Sequence, residues 1–210
     1  PSASSASRHC AAVAISAGAT HTCELLDNGQ VKCWGTNYYG YLGTGDTSGR
    51  GDGAGEMGDA LPAVALGTGR TAVAVSAGDY HSCAVLDDGS LKCWGYGGSG
   101  QLGLGDGNSR IYPGELGDAL PAVDLGPGRT VTAVSSGTES TCAALDDGHL
   151  KCWGSNGYGQ LGLGDVNGRG GAAGQMGTAL PAVDLGTGRT VTAVSLGWGH
   201  TCATLDDGAH

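Results

Sequence analysis

The stretch "HSCAVLDDGSLKCWG" at His81–Gly95 decides the fold of this chain. Two apolar segments, each carrying a cysteine, flank an Asp-Asp-Gly turn. Asp-Gly between alternating apolar residues is a strong signal for a β-hairpin. The preceding "TAVAVSAG" at 71–78 alternates with period two and is rich in valine, so it predicts another strand. "PAVDLG" at 121–126 predicts a fourth, with proline at its start, where a missing N–H is tolerated.

The same hairpin recurs along the whole chain. The cysteines that precede the turns, Cys23, Cys83, Cys142 and Cys202, are separated by 60, 59 and 60 residues. A period this regular indicates a repeat array, and four short antiparallel strands per repeat are typical of a propeller blade. We therefore predict an all-β fold of about three complete blades and one split blade. The expected repeats cover about 13–66, 67–126, 127–186 and 187–210, after an N-terminal extended segment or donor strand at 1–12.

Two longer motifs carry a family resemblance. "VSAGDYHSCAVLDDG" at Val75–Gly89 and "CWGSNGYGQLGLGD" at Cys152–Asp165 resemble the repeats of the regulator of chromosome condensation family, and the resemblance covers nearly the whole chain from Val13. It implies a β-propeller, usually one with about twice the length of this chain. Cysteine-bearing repeats of this kind are similar to those of large bacterial extracellular proteins. The nucleotide exchange and the histone and DNA binding of the family's namesake are not expected of an acidic, cystine-rich chain.

Composition excludes several classes of function. The formal net charge is −10 and the lysines and arginines do not cluster, so nucleic acid is not an expected partner. No apolar run reaches the ~18 residues that a membrane span needs. A catalytic site should break the symmetry of the repeats with a cluster of polar residues, and the sequence contains no such cluster. We therefore expect no enzyme and no obligatory cofactor.

Six of the eight cysteines form pairs ten residues apart, each flanking a turn: Cys23 and Cys33, Cys83 and Cys93, Cys142 and Cys152. We interpret these pairs as disulfides across the hairpins, typical of an oxidising compartment. Zinc is the rival interpretation, but it favours closely spaced ligands that converge in fours. The expected localisation is extracellular or at a cell surface.

Cys10 and Cys202 remain, and three outcomes are open for them. The N-terminal segment closes a ring onto Cys202 of the same chain, or it completes the last blade of a second copy, or the chain is a piece of a longer propeller. Our first choice is head-to-tail self-assembly, as a fibre or ring, through strand addition at an unpaired edge. The residues assigned to this joint are Ser7, Arg8, His9, Cys10, Cys202, Asp206 and Asp207.

The glycine-rich loops offer the other candidate sites. Asp46, Asp52, Glu56 and Asp59 in the first loop suggest calcium as an alternative to a role in loop turns. Tyrosines fall mostly in such loops, and amphipathic rings on a rigid scaffold suit contacts with glycans or with a surface protein. The runner-up function is therefore a secreted binding module. Ser2, Ser4, Ser5 and Ser7 form a small polar tract that could carry O-linked sugars.

Overall fold

The chain forms four antiparallel β-sheets in sequence order. We describe residues 10–208 of a computed structural model of the 210-residue chain. Three sheets have three strands each: β1 Ala12–Ala17, β2 His21–Leu26 and β3 Val31–Gly35; β4 Ala72–Ala77, β5 His81–Leu86 and β6 Leu91–Gly95; β7 Val131–Ser136, β8 Ser140–Leu145 and β9 Leu150–Gly154. The fourth has two strands, β10 Val191–Leu196 and β11 Thr201–Leu205. The all-β propeller architecture, with about three blades and a partial one, is confirmed.

The Asp-Gly turns close the hairpins as predicted. In the second sheet, the Leu86 N–H donates to the Ser90 carbonyl at 2.8 Å, and the Gly89 N–H donates to the Leu86 carbonyl at 2.9 Å. Gly89 has φ +78°, a left-handed conformation that glycine adopts without steric cost. This turn fixes the register in which Cys83 lies opposite Cys93.

Three disulfides cross the hairpins at that register. They join Cys23 to Cys33, Cys83 to Cys93 and Cys142 to Cys152, and each pair of Cα atoms is 4.1 Å apart. These are the pairs that the hairpin spacing predicts. All six cysteines are buried, so the bridges are part of the core between neighbouring sheets.

The prediction of a fourth strand in each blade is wrong, because the Pro-Ala-Val segments do not form strands. Each Pro-Ala-Val segment makes a single ladder bond to the outer strand of its own sheet, for example from the Val123 N–H to the Leu91 carbonyl at 2.8 Å. Pro121 has no N–H to donate, so the pairing does not extend. The segment instead lays buried apolar side chains, here Leu120, Val123 and Leu125, against the sheet. We call these segments straps: residues 61–66, 120–125 and 180–185.

The inner strands pack directly on one another. The Ser16 hydroxyl accepts a hydrogen bond from the Ala77 N–H at 2.9 Å, and Ser76 accepts one from Ser136 at 2.8 Å. A Cβ on Gly18 would overlap the Gly78 carbonyl, so only glycine permits this approach of neighbouring sheets. The turns at 17–19, 77–79, 136–138 and 196–198 line one shared hollow, which shows that the sheets converge at these ends.

A repeated hydrogen-bond cluster, which we call the clasp, joins each sheet to the next. In the first clasp, the Tyr41 carbonyl accepts two bonds from the second sheet, from the Ser82 hydroxyl at 2.9 Å and from the Trp94 Nε1 at 3.0 Å. In the second, the Gln101 carbonyl accepts from the Thr141 hydroxyl at 2.8 Å and from the Trp153 Nε1 at 2.9 Å. Both indole rings are fully buried. The tryptophan of one repeat therefore holds the loop of the repeat before it.

We expect Trp153→Phe to lower the free energy of unfolding by about 1–3 kcal/mol, because it removes the clasp N–H and leaves a smaller ring in a buried site. Trp34 is the matched control, since it is only partly buried and no sheet precedes its own in the described part of the chain. Trp34→Phe should cost less than about 1 kcal/mol. Urea unfolding followed by circular dichroism measures both, and equal losses would contradict the clasp.

Candidate functional site

The candidate site is the outer edge of β11. Strand β11 pairs with β10 on one side, and within residues 10–208 no strand pairs with its other side. In the first three sheets, the equivalent edge is covered by a third strand that supplies the disulfide partner and the tryptophan. An unpaired strand edge presents free N–H and C=O groups to another chain.

Cys202 is the second residue of β11, and its thiol is free and exposed. It faces Ser195 of β10, as Cys142 faces Ser135 and Cys83 faces Ser76. Cys202 thus occupies the place that a disulfide partner reaches in each of the other hairpins.

An apolar groove of about 480 Å³ runs beside this edge. Its walls include Leu161 and Gly162 from the third loop, Val183 and Leu185 from the third strap, and Cys202 and Leu205 from β11. Val183 and Leu185 are only partly buried, whereas the equivalent Val123 and Leu125 are buried beneath the third sheet. The groove therefore continues the interface that joins the earlier sheets.

The groove contains half of a third clasp. The Gln160 carbonyl accepts a hydrogen bond from the Thr201 hydroxyl at 2.8 Å, the same bond that Ser82 and Thr141 make in the first two clasps. In those clasps a glycine lies against the indole: a Cβ on Gly103 would lie 2.7 Å from the Trp153 Nε1. A Cβ on the equivalent Gly162 would have only Val183 within 4 Å.

Cys10 is not bonded to Cys202 within the described chain. The Asp27 N–H donates to the Ala11 carbonyl at 2.8 Å, as the Asp87 N–H does to the Thr71 carbonyl at 2.9 Å. Cys10 therefore takes the place of Arg70 beside its own hairpin turn, where the Asn28 amide donates to its sulfur at 3.0 Å. Its thiol is free and exposed, at the start of the first sheet rather than on the last.

Other assembly residues have different placements. Ser7, Arg8 and His9 lie outside the described residues. Asp206 and Asp207 belong to the last hairpin turn, where the Arg189 guanidinium contacts Asp207 at 2.6 Å. Arg129 contacts Asp147 in the same way. These aspartates therefore have the turn role that their counterparts have, and their assignment to the joint stays a prediction.

The four acids proposed for calcium are not arranged as ligands. Among residues 10–208, no group of three or more His, Cys, Asp or Glu side chains is placed to hold a metal ion. Asp46 is paired with Arg50 at 2.6 Å, and the Glu56 carboxylate accepts from the N–H groups of Gly51 and Gly53 at 2.8 and 2.9 Å. Asp52 interacts with the Glu56 side chain, and Asp59 completes the proposed set, but no three of the four acids converge on one point.

The third loop has a glutamine, Gln175, where the second loop has Glu115, and the two side chains make the same backbone hydrogen bonds. Glu115 accepts from the N–H groups of Ile111 and Tyr112, and its counterpart Gln175 accepts from those of Gly171 and Ala172. An amide oxygen does the same work as a carboxylate here. The two backbone bonds lower the pKa of Glu115, since they favour its charged form. The acids are turn-stabilising acceptors.

Two histidines are part of the clasps. The His21 Nε2 lies 2.8 Å from the Ser82 hydroxyl, and the His81 Nε2 lies 2.8 Å from the Thr141 hydroxyl. Because each hydroxyl donates to a carbonyl, it accepts from the histidine, which places the ring proton on Nε2. Burial lowers the pKa of His21 to about 4, against a small opposing effect of Asp79, and that of His81 to about 3.

Aromatic rings from neighbouring repeats form two surfaces that no local sequence pattern indicates. Tyr39, Tyr80 and Tyr96 meet where the first sheet adjoins the second, with ring centroids 5.0 to 6.3 Å apart. Tyr158 and Trp198 meet between the third and fourth, at 5.2 Å. Trp198 is 67 % exposed. Ser99 and Glu139 take the places of Tyr39 and Tyr80 at the middle junction, so the two surfaces break the repeat symmetry.

Together these features define a disulfide-stapled β-propeller repeat protein. The sequence profile of the "Regulator of chromosome condensation (RCC1) repeat" matches residues 28–85, 88–144 and 147–204, and a second profile of that description matches 12–40, 72–101 and 131–160. The chain belongs to the regulator of chromosome condensation repeat family, as the sequence motifs predicted.

Two plant proteins are similar to this chain in sequence. The chain is 32% identical over 199 residues to "Ultraviolet-B receptor UVR8" of Arabidopsis thaliana. The aligned region covers 94% of this chain and 40% of that protein. It is 32% identical over 149 residues to "RCC1 domain-containing protein RUG3, mitochondrial" of the same plant, spanning 71% and 30%. The chain thus spans less than half the length of these relatives.

Solved structures support the fold. Human WBSCR16 has a TM-score of 0.68 at 18% identity, covering 93% of this chain and 46% of that chain. Prp20p of Saccharomyces cerevisiae has a TM-score of 0.67 at 20% identity, covering 94% and 44%. No helix among residues 10–208 is long and apolar enough to cross a membrane.

The buried histidines predict acid sensitivity. Between pH 6.5 and about 4, the folded chain keeps His21 and His81 neutral while the unfolded chain binds protons, so stability should fall as the pH falls. The loss through His21 alone is on the order of 3 kcal/mol by pH 4.

Urea unfolding at pH 7, 5 and 4 measures this slope. His21→Gln should reduce it, and His200→Gln should not, because His200 is exposed at the equivalent position. The histidine account would be contradicted by equal slopes in the two variants.

Proposed function

We propose that the chain is an extracellular structural protein that joins to further copies of itself through the open edge of β11. The joint is a strand from the N-terminal segment of the next copy, and a disulfide between its Cys10 and Cys202 locks it. One observation carries this proposal. The strand edge that has no partner bears a free, exposed thiol at the position where every other hairpin has its disulfide. The proposed function involves no catalysis by the chain.

The two thiols suit such a joint because they lie at opposite ends of the array. Cys10 precedes β1 of the first sheet by two residues, and Cys202 lies on the last sheet. A contact between unlike ends is head-to-tail, so it gives a ring if its rotation closes and a filament if it does not. The short lead to β1 requires the first sheet of one copy to lie directly beyond the edge of the other.

Formation of the joint is a two-electron oxidation. The thiols of Cys10 and Cys202 lose two protons and two electrons as the S–S bond forms, and a small disulfide such as oxidised glutathione takes them up as two thiols. The three hairpin disulfides support an oxidising compartment for the mature chain, in which this reaction is favourable.

The variants Cys10→Ser and Cys202→Ser should each abolish a reductant-sensitive ladder of multimers that the wild-type chain forms in a glutathione redox buffer. Both thiols are exposed, so neither change should disturb the fold. Non-reducing gels and light scattering measure the ladder, and circular dichroism verifies the fold. A wild-type chain that stays monomeric under oxidising conditions, or a ladder that survives Cys202→Ser, would overturn the proposal.

A second candidate function rests on the aromatic surfaces. Neighbouring rings at interplanar angles of 40 to 84°, which only two of the three junctions carry, form apolar surfaces edged with hydroxyls, and such surfaces suit the pyranose rings of a glycan. The net charge of −10 favours a neutral glycan over an anionic one.

Tyr39→Ala should weaken binding of a neutral oligosaccharide by about tenfold, because it removes the ring that contacts both Tyr80 and Tyr96. Tyr112→Ala is the matched control, since Tyr112 is exposed but belongs to neither surface. Calorimetric titration with neutral oligosaccharides measures the affinity. Absence of binding by the unmodified chain, or equal affinities of the two variants, would contradict this function.

A further inference from the structure

The groove beside β11 carries a recognition pattern that a strand of one particular sequence satisfies. In the second and third sheets, the third strand presents lysine, cysteine and tryptophan at consecutive positions, Lys92 to Trp94 and Lys151 to Trp153. Each of these side chains has a defined receptor: the cysteine on the adjacent strand of its own sheet, and the lysine and the tryptophan in the strap and the loop of the preceding repeat. All three receptors recur in the groove.

The first receptor is a carbonyl at the end of the strap. The Lys92 ammonium donates to the Leu66 carbonyl at 2.9 Å, and Lys151 donates to the Leu125 carbonyl at 2.9 Å. The equivalent residue of the third strap is Leu185, which lines the groove. A lysine one position before the cysteine would therefore meet the same acceptor.

The second receptor is the Cys202 thiol, and the third is a socket for an indole ring. The socket is formed by the Gln160 carbonyl, Leu161, Gly162 and Val183. Its counterpart, with Gln101, Leu102, Gly103 and Val123, encloses the Trp153 ring, which is fully buried there. Two filled examples in the same chain thus show what the third socket accepts.

The N-terminal segment satisfies only one of the three receptors. With Cys10 opposite Cys202, the antiparallel register of the other hairpins puts His9 at the lysine position and Ala11 at the tryptophan position. An alanine leaves the socket unfilled, and a buried indole contributes several-fold more apolar area than a methyl group.

We propose that the groove selects a strand with the sequence Lys-Cys-Trp and takes its tryptophan in the Gln160 socket. The partner is thus the third strand of a repeat of this same kind. Such a strand would displace the N-terminal segment and cap the edge. The capping effect rests on the proposed function, whereas the binding preference does not.

The covalent step is a disulfide exchange. The Cys202 thiolate attacks the peptide-side sulfur of a peptide–glutathione mixed disulfide, a new S–S bond forms, and glutathione thiolate leaves. Because one S–S bond replaces another, no external oxidant is consumed. The equilibrium therefore reports how well the rest of the strand fits the groove.

The test uses the 210-residue chain carrying Cys10→Ser and the probe acetyl-His-Leu-Lys-Cys-Trp-Gly-amide, the sequence of residues 149–154. Intact mass spectrometry in a glutathione redox buffer gives the equilibrium constant for the adduct at Cys202. Matched probes carry alanine or 1-methyltryptophan in place of tryptophan, and a fourth probe has the sequence of residues 5–12.

The tryptophan probe should form the adduct at least ~10-fold more favourably than the alanine probe and the N-terminal probe. The 1-methyl probe should lose about threefold or more, because it cannot donate to the Gln160 carbonyl. Val183→Phe, which fills the socket, should remove the preference, while Val166→Phe on an exposed loop should keep it. Thermal unfolding verifies that both variants fold.

Equal constants for the tryptophan and alanine probes would overturn the inference, as would a preference for the N-terminal probe. In the wild-type chain, the tryptophan probe should also shorten the multimer ladder. If the wild-type chain forms no ladder, the self-assembly proposal fails, and the probe preference still decides the present one.

Discussion

The structure depends on one carbonyl group in each repeat. The carbonyl oxygens of Tyr41 and Gln101 each accept two hydrogen bonds, from a hydroxyl and from an indole of the following sheet. A buried carbonyl has two lone pairs to satisfy, and leaving one unmet is costly. The pair of donors therefore ties the loop of one repeat to the middle and outer strands of the next. Small residues, such as Gly18 in the turn and Ser16 on the inner strand, allow neighbouring sheets to approach closely. A propeller whose strands are short and whose core lacks phenylalanine is held together by these joints and by the hairpin disulfides.

The same constraint explains the ends of the described array. Where a following sheet supplies both donors, the tryptophan and the strap beneath it are buried. At β11 the hydroxyl donor of Thr201 is in place, while the strap residues Val183 and Leu185 remain partly exposed. The candidate site therefore has the same structure as the interfaces between the earlier sheets, but it is exposed to solvent. An edge of backbone groups with a thiol and an aromatic socket supplies the contacts that the proposed strand addition needs.

Much of this was predictable from the sequence, because it follows from period and turn chemistry. The cysteine spacing and the Asp-Gly turns predicted the hairpins, their register and the bridges. The fourth strand was wrong because strand propensity was given more weight than the missing N–H of Pro121. The calcium set stays a prediction, and the loop acids have a structural role besides it: Glu56 accepts from backbone N–H groups at a loop turn, and Gln175 makes the equivalent bonds in the third loop. The clasps and the aromatic surfaces join residues about 40 to 60 positions apart, so no local pattern reveals them.

The central claim is that the edge of β11 is joined by another copy, with Cys202 bonded to Cys10 of that copy. The most direct measurement mixes equal amounts of ¹⁵N-labelled and unlabelled chain in the reduced state, oxidises the mixture and maps the linked peptide by mass spectrometry. An intermolecular bond predicts that about half of the Cys10–Cys202 peptides carry one labelled and one unlabelled strand. Linked peptides that are uniformly labelled or uniformly unlabelled would show a bond within one chain, and they would contradict the account.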